Sequence, residues 1–245
     1  MDIAPIFGVI ITTPSHPPPT LVFWRTPPVG SYKINTDGCV KDGFASGGGI
    51  IRDSSGQCIR AFFSFYGDCT ILEAELRAIL DGIILAQRLG LSVLWVESDS
   101  TLAIHCITKG GGPWHIQATI RHIRHLLALD RDTITHIYRE GNQVADLLAS
   151  EGWDRRCYHE YSSQDLPRRH RSLVQIDRLD SLLLEAYSLL LDICMGGSIS
   201  LFIAFCFAFA FHSIVLGGQV LCPPPLYSYE LYIYGWGFLN PPVLP

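Results

Sequence analysis

After a proline-rich start, apolar and polar residues alternate along the chain in the way that is typical of half-buried strands. Residues 32–36 alternate in this manner and are followed by Asp37-Gly38, a pair that favours a turn. Further strands are predicted at 47–52 and 58–66, with the turn sequence Asp-Ser-Ser-Gly at 53–56 between them. Three strands joined by tight turns predict an antiparallel meander.

The apolar period then changes to that of an amphipathic helix. Residues 70–73, Thr-Ile-Leu-Glu, have the form of a capping box, with Thr70 as N-cap and Glu73 reaching back to its amide. This helix is predicted to run to residue 89 and to end at Gly90. The remaining pattern predicts a buried strand at 93–97, helices at 100–107 and 115–129, a strand at 133–138, and a last helix from Asn142 to Trp153.

The order of these elements, β-β-β-α-β-α-α-β-α, defines the expected fold class. An α/β fold is predicted, with a five-stranded mixed sheet made of three antiparallel strands and two further strands, and with helices packed on it. Composition divides the chain around this domain. We predict a proline-rich irregular lead-in at 1–30, the domain at 31–153, a polar linker or domain extension at 154–180, and an irregular apolar tail at 181–245.

The tail contains a long uncharged stretch. Residues 193–216 are 24 in number, with His212 as the one strongly polar side chain, and such a length is sufficient to span a bilayer. Four arginines lie upstream of it, so the positive-inside rule would leave the domain on the cytoplasmic or nuclear side. The alternatives for this segment are a buried hairpin and read-through of non-coding sequence.

Charge and cysteine usage limit the class of protein. The formal net charge is −5 and there are only three lysines, which argues against tight electrostatic binding to nucleic acid unless bound cations neutralise some carboxylates. The eight cysteines are dispersed, with no Cys-x-x-Cys pair, so we expect reduced thiols and no zinc site. The start of the chain lacks a basic region, so we expect no signal peptide.

One carboxylate lies on the apolar face of the helix predicted at 71–89. On a helical projection, Glu75 falls among apolar side chains, whereas Glu73 faces the polar side and can pair with Arg77 at i+4. Burying a carboxylate is unfavourable by several kcal/mol unless a cation or hydrogen-bond donors compensate it. Glu75 is therefore a candidate ligand, and a position at the rim of the apolar stripe is the alternative.

Three more acids occupy the ends of predicted elements. Asp37 follows the first strand, Asp99 follows the fourth strand, and Asp146 lies in the first turn of the last helix. Each has a simple alternative explanation: a turn residue, a helix cap, and an acid at the positive end of a helix dipole. Glu97 faces the same side of its strand as Asp99 and is the competing candidate there.

Taken together, the four acids predict a metal site. If the first and fourth strands are neighbours, the four positions converge on one edge of the sheet. Acids clustered without a basic partner repel one another, and carboxylate-rich sites suit Mg²⁺ or Mn²⁺. Two such ions about 4 Å apart are a known device for in-line displacement at a phosphodiester.

Four motifs carry a resemblance to a known family. They are Asn35-Thr36-Asp37-Gly38, Ala74-Glu75-Leu76-Arg77-Ala78, Glu97-Ser98-Asp99-Ser100 and Arg139-Glu140-Gly141-Asn142-Gln143-Val144-Ala145-Asp146. With the order of elements, they resemble type 1 ribonuclease H, and most closely the ribonuclease H-like domains common in plant genomes that are related to non-LTR retrotransposons. The resemblance covers about half of the chain.

The resemblance implies a ribonuclease H-like fold and cleavage of the RNA strand of an RNA–DNA hybrid. It implies a catalytic and metal-binding set that holds two Mg²⁺ ions, with Mn²⁺ as a substitute, formed by Asp37, Glu75, Asp99 and Asp146. It also implies contacts to the hybrid from Gly38, Gly48 and Asn142. The expected partner is nucleic acid, with a membrane contact through 193–216 and no obligate protein partner evident.

Two departures from the family pattern favour an alternative function. The loop before the last helix is short and lacks the histidine that many active members carry there, while His136 is predicted inside a strand with a structural role. A basic surface that would grip the hybrid is not evident at 108–114. The alternative is a catalytically weak, domesticated retroelement domain that binds nucleic acid or a protein partner. A membrane-tethered adaptor is the third hypothesis.

Overall fold

A computed structural model of the protein describes residues 22–127 and 131–196. Two short 3₁₀ turns, Trp114–Ile116 and Arg139–Gly141, accompany the main elements. The strands and helices within the described ranges are β1 (Tyr32–Lys41), β2 (Phe44–Arg52), β3 (Cys58–Gly67), α1 (Ile71–Arg88), β4 (Leu94–Ser98), α2 (Thr101–Lys109), α3 (Gln117–Leu126), β5 (Thr133–His136), α4 (Gln143–Arg155), β6 (His159–Ser162) and α5 (Arg168–Gly196).

The strands form one mixed sheet in the order β5-β4-β1-β2-β3-β6. The first three strands are an antiparallel meander, β4 runs parallel to β1, and β5 runs parallel to β4. The predicted α/β fold class is confirmed. The sheet also contains a sixth strand, β6, which pairs antiparallel with β3. This strand was not predicted, since its four residues are too few to show a clear alternation.

Several predicted boundaries differ from the structure, among them those of α3 and β5. The helix predicted at 115–129 is divided into the 3₁₀ turn Trp114–Ile116 and α3, which ends at Leu126. Residues 128–130 lie outside the described residues. The strand predicted at 133–138 ends earlier, at His136, because the chain then enters the turn before α4.

The turn predicted at Asp37-Gly38 is wrong. β1 continues through this pair as far as Lys41, and the chain reverses instead at Asp42-Gly43, where φ is 51° and 81°. A glycine is required at Gly38 for a different reason. A Cβ there would lie 2.6 Å from the backbone nitrogen of Glu75, so α1 crosses directly over the strand. Gly38 is therefore explained by the close packing of α1 on β1 and not by a turn.

The start of α1 agrees with the prediction. The Thr70 hydroxyl accepts a hydrogen bond from the Glu73 backbone at 3.3 Å, and the Glu73 carboxylate accepts one from the Thr70 backbone at 3.1 Å. Glu73 also lies 3.9 Å from Arg77, on the outer side of the helix. Glu75 is buried with the apolar residues of the inner side. The helical period thus correctly predicted that Glu73 is on the outer side of α1 and that Glu75 is buried.

Two apolar layers cover the two faces of the sheet. Because successive strand residues point to opposite faces, Ile51 and Phe62 enter the layer formed with α1, α2 and α3. Their neighbours Ile50 and Phe63 enter the layer formed with α4, β6 and the start of α5. The sheet is thus enclosed on both sides, and polar groups within it need specific partners.

Segments before and after the predicted domain also contribute to the fold. Trp24 is 1% exposed, and its indole nitrogen donates a hydrogen bond to Asn35 at 2.8 Å. Val174 of α5 is buried in the second layer. These residues lie in one compact unit of the chain, which ends at Leu184.

The predicted membrane span falls mainly outside the described residues. Of the stretch 193–216, the structure describes only residues 193–196, which end α5. Within the described part of the chain, no helix is both long and apolar enough to cross a lipid bilayer. The rest of the predicted apolar tail, 197–245, also lies outside the described residues.

Candidate metal centre

Three acidic side chains come together at one end of the β1–β4 pair. The two strands are parallel and place Thr36 opposite Ser98. Asp37 and Asp99, the next residues of the two segments, therefore lie side by side. Glu75 reaches the same place from α1, which crosses over β1. Two neighbouring strands and one helix thus supply one carboxylate each.

The three carboxylates form a compact and mostly dry group. One oxygen from each of Asp37, Glu75 and Asp99 lies within 4.8 Å of the others. Asp37 and Glu75 are only 5% and 6% exposed, and Asp99 is half-buried. Among the described residues, no other set of three potential ligands has this geometry. An all-oxygen donor set of this kind suits a hard divalent cation such as Mg²⁺ or Mn²⁺.

Burial and mutual repulsion change the protonation of the group. Burial is the largest cause that raises the pKa of Asp37 to about 9, and the charges of Glu75, Asp99 and Asp146 add to it. Burial also raises the pKa of Glu75 to about 8; Asp99 adds to this rise, and a hydrogen bond from Ser98 opposes it. Without a cation the group therefore keeps protons at neutral pH, and a cation that binds must displace them.

Hydrogen bonds through Ser98 and Ser100 hold Glu75, and one oxygen of Asp99 is left without a donor among the described residues. The Ser98 hydroxyl donates to Glu75 at 3.4 Å and accepts from the Ser100 backbone at 3.1 Å. The Ser100 hydroxyl in turn caps α2 by accepting from Ala103 at 3.3 Å. Asp99 Oδ1 is buried and has no hydrogen-bond partner within the described residues. A buried carboxylate oxygen without a donor is a feature that a bound cation would satisfy.

The fourth predicted acid, Asp146, has a different partner. It lies in the first turn of α4, and its carboxylate accepts a hydrogen bond from Arg139 at 2.7 Å. Both side chains are accessible, at 39% for Asp146 and 76% for Arg139. Asp146 is close enough to raise the pKa of Asp37 but is not one of the three clustered ligands. The structure thus brings three of the four predicted acids together.

Glu97, the competing candidate beside Asp99, takes part in a buried ion pair instead. Its Oε1 lies 2.7 Å from the Lys33 ammonium, and its Oε2 accepts a hydrogen bond from the Asn35 amide at 2.9 Å. Lys33 is 1% exposed. The sequence contained one indication of these contacts, since Lys33 and Asn35 occupy the same side of β1 as Asp37. Interpreting it required the pairing of strands that are far apart along the chain.

The residues predicted to contact the hybrid have clear packing roles. A Cβ at Gly48 would lie 2.4 Å from the Ala149 nitrogen, so α4 lies directly against β2, as α1 lies against β1 at Gly38. Asn142 is 1% exposed, and its amide donates to the Thr36 carbonyl at 2.9 Å. These contacts account for the residue types. A direct contact of Gly38, Gly48 or Asn142 with nucleic acid stays a prediction.

The connection between β5 and α4 is short, as the sequence indicated. It contains the 3₁₀ turn Arg139–Gly141 and no histidine. His136 is the last residue of β5, and its side chain is exposed beside Tyr138, with ring centroids 5.2 Å apart. The strand thus holds His136 near the end of β4 that carries the acids, without burying it in the core.

Comparison with known proteins agrees with this geometry. Residues 35–152, which include all four predicted acids, match the family described as "Reverse transcriptase-like". Over 167 residues the chain is 30% identical to the Arabidopsis thaliana protein named "Putative ribonuclease H protein", which covers 66% of this chain and 26% of that protein. The chain contains a ribonuclease H-like domain. It spans about a quarter of the length of this plant relative.

Solved structures similar to the ribonuclease H-like domain include two ribonuclease H1 proteins. The one from the archaeon Halobacterium salinarum is 24% identical, with 51% of this chain and 98% of that chain covered and a TM-score of 0.48. LC11-RNase H1, solved in complex with an RNA/DNA hybrid, is 24% identical, with the same shares covered and a TM-score of 0.47. Each similarity covers about half of this chain.

Proposed function

We propose that the ribonuclease H-like domain is a divalent-metal-dependent endoribonuclease that hydrolyses the RNA strand of RNA–DNA hybrids. The observation that carries this proposal is the group of Asp37, Glu75 and Asp99, which offers three carboxylate oxygens within 4.8 Å. A buried group of this kind is unfavourable for the fold unless protons or a cation compensate it. A metal-dependent reaction accounts for the presence of these three carboxylates at the end of the β1–β4 pair.

Mg²⁺, with Mn²⁺ as a substitute, fits the donor set best, and two ions are proposed. Asp37, Glu75 and Asp99 would hold the ions, and Asp146 would join them after leaving Arg139. When bound, such ions lower the pKa of a water molecule and neutralise charge on the leaving oxygen of a phosphodiester. Asp99 Oδ1, which has no hydrogen-bond donor among the described residues, is one oxygen that a cation would satisfy.

The chain's own residues have distinct tasks in this proposal. Asp37 and Glu75 hold protons at neutral pH in the metal-free protein and release them when cations bind, because burial and repulsion raise both pKa values. Arg139 is largely exposed beside Asp146, so its guanidinium can exchange that carboxylate for a phosphate of the substrate. Selection of RNA is expected to depend on the 2′-hydroxyl, which DNA lacks.

Cleavage of a labelled hybrid by the full chain tests the proposal. Activity is expected with Mg²⁺ and not with EDTA. Glu75→Gln and Asp37→Asn should each lower kcat/KM by roughly 100-fold or more, since metal ions contribute several kcal/mol of charge stabilisation to the transition state. Glu73→Gln is the matched control, because Glu73 lies on the outer side of the same helix. A parent without activity, or equal losses in Glu73→Gln and Glu75→Gln, would overturn the proposal.

A second function is favoured by two specific observations. Asp146 is paired with Arg139, so only three carboxylates converge, and the chain has a net charge of −5. Both features suit a domesticated retroelement domain that binds nucleic acid or a protein partner with little catalysis. Binding of the hybrid by the parent without cleavage, at any Mg²⁺ or Mn²⁺ concentration, would favour this function over the first.

A further inference from the structure

The β1–β4 pair carries a series of facing residues that ends at the metal centre. Alternate residues of a strand point to one face, so every second position of β1 is beside every second position of β4. The rows are Lys33 beside Trp95, Asn35 beside Glu97 and, one step further, Asp37 beside Asp99. The last row holds two of the three clustered acids, and the hydrogen-bonded ladder between the strands ends just before it, at Thr36 and Ser98.

The first two rows are joined by specific side-chain contacts. Glu97 uses both oxygens: one lies 2.7 Å from the Lys33 ammonium, and the other accepts from the Asn35 amide at 2.9 Å. The Lys33 ammonium also lies 4.1 Å from the ring centroid of Trp95. These contacts tie β1 to β4 through side chains, two residues before the acids of the metal centre.

A second ring of contacts reaches residues outside the segment that matches the family. Asn35 Oδ1 accepts hydrogen bonds from the Trp24 indole at 2.8 Å and from Arg52 at 2.7 Å. The Arg52 guanidinium lies 3.6 Å from the Trp24 ring centroid, and it forms an ion pair with Asp177 of α5 at 2.5 Å. Asn35 thus has one partner before the matched segment, and Arg52 has one after it.

The contacts are charge-balanced and dry. Lys33 and Arg52 are each 1% exposed, and Glu97 and Asp177 supply the two matching negative charges. A polar group in so dry an environment keeps its geometry, because losing one contact leaves a buried partner unsatisfied. The arrangement is therefore stiff, as a support for metal ligands has to be.

We propose that these six residues, the flank network (Trp24, Lys33, Asn35, Arg52, Glu97 and Asp177), position Asp37 and Asp99 for the divalent cation. The inference rests on the proposed metal centre and extends it to residues before and after 35–152. Metal ligation tolerates displacements of only about 0.2 Å. The backbone ladder between β1 and β4 ends before Asp99, so side-chain contacts two residues upstream add a constraint on the place of Asp99 relative to Asp37.

Mn²⁺ affinity of the full chain, measured by titration calorimetry together with melting temperature, tests this inference. Asn35→Ala should raise the Mn²⁺ dissociation constant by roughly 10–100-fold, the usual effect of losing a partner that supports metal ligands. Trp24→Phe keeps an aromatic ring against Arg52, loses the indole donor and replaces a buried bicyclic ring with a smaller one. It should fold with a lower melting temperature, because buried volume is lost. It should also raise the Mn²⁺ dissociation constant by about fivefold, the effect of one hydrogen bond. Asp177→Asn should act in the same direction.

The matched control is Leu166→Ala, a change in the apolar layer on the same face of the sheet. It should lower the melting temperature and leave the Mn²⁺ dissociation constant within about twofold of the parent, since Leu166 lies outside the flank network. If Trp24→Phe and Asn35→Ala behave like Leu166→Ala, the network is only structural and the inference is overturned.

The outcome for the proposed function is separate. A parent that binds Mn²⁺ and cleaves no hybrid would overturn the nuclease proposal, while the Mn²⁺ affinities of the variants would still decide the role of the flank network. A parent that binds no Mn²⁺ would overturn both the network inference and the metal centre on which it rests.

Discussion

Two acidic sites, only two residues apart along neighbouring segments of the sheet, have opposite electrostatic balance in this protein. Glu97 is buried but paired, with the Lys33 ammonium 2.7 Å away. Asp37, Glu75 and Asp99 are clustered within 4.8 Å of one another, and repulsion helps to raise the pKa of Asp37 to about 9. Both sites use residues of β1 and of the segment that β4 begins, and α1 adds Glu75 to the metal centre. The residues of β1 that face each acid decide whether it becomes part of the structural support or part of the metal centre.

The difference distinguishes charged groups that have partners within the protein from charged groups that need a ligand. Around Glu97 every charge has a partner within the protein, so the contacts are complete without a cation. Around Asp99 one buried oxygen has no donor among the residues that the structure describes. A cluster of like charges next to a charge-balanced network is typical of a functional site on a rigid support.

The largest expected effect comes from breaking the balanced site. Lys33→Met should lower the free energy of unfolding by about 3–5 kcal/mol, because it leaves Glu97 buried without its cation. Lys41→Met is the matched control on the same strand, and it should change the free energy of unfolding by less than about 1 kcal/mol, since the Lys41 ammonium is exposed over Trp153. Urea denaturation measures both. Equal effects of the two changes would contradict the contrast between buried and exposed charges.

An intermediate effect is expected from the unbalanced site, and it depends on pH. The pKa of Asp37 is about 9 in the folded protein against 3.8 for a free side chain, so the folded state binds more protons between these values. In EDTA, stability should therefore fall as pH rises through this window. Asp37→Asn removes the titration, so its stability relative to the parent should increase with pH.

The size of this change is measurable by urea denaturation at several pH values. Between about pH 5 and pH 8 the gap between Asp37→Asn and the parent should widen by at least about 1.4 kcal/mol, the equivalent of one pKa unit. Added Mn²⁺ should stabilise the parent at pH 8 and should have little effect on the variant. A gap that is constant with pH, or that narrows as pH rises, would show that Asp37 is not held in its protonated form.

The smallest effect on stability is expected from Arg139→Gln, which removes the partner of Asp146. The pair is largely exposed, so the free energy of unfolding should change by less than about 1 kcal/mol. Mn²⁺ should nevertheless bind several-fold more tightly, since Asp146 is released and a nearby positive charge is lost. Titration calorimetry measures this, with Arg155→Gln as the control for loss of an arginine elsewhere on α4. Weaker Mn²⁺ binding in Arg139→Gln would contradict the account of Asp146.

Some of this architecture follows from local sequence patterns. The capping box at Thr70 and the helical period placed Glu75 on the buried side of α1, and the structure has it there. The position of Glu75 could be predicted because it depends on a period of 3.6 residues, which the sequence displays directly. The proximity of Asp37 and Asp99 was predicted on the assumption that the first and fourth strands are neighbours, and the structure pairs these strands, although β1 continues past Asp37 to Lys41.

Other features depend on contacts between distant residues and could not be predicted in this way. Asp37-Gly38 has strong turn propensity, but pairing with β2 and the crossing of α1 hold it in a strand. The Lys33–Glu97 pair joins residues 64 positions apart. The partner of Asp146 was also missed, since nothing in the local pattern marks Arg139 as its neighbour. Tertiary packing overrides local preference at each of these positions.

The most direct test of the metal centre is a crystal of the full chain soaked in Mn²⁺ and measured at a wavelength where manganese scatters anomalously. The account predicts an anomalous peak bonded to carboxylate oxygens of Asp37, Glu75 and Asp99 at distances of about 2.1 Å. The peak should be absent in Asp37→Asn and present in Glu73→Gln. A parent crystal with no peak at the three carboxylates, or with manganese bound only elsewhere, would contradict the central claim.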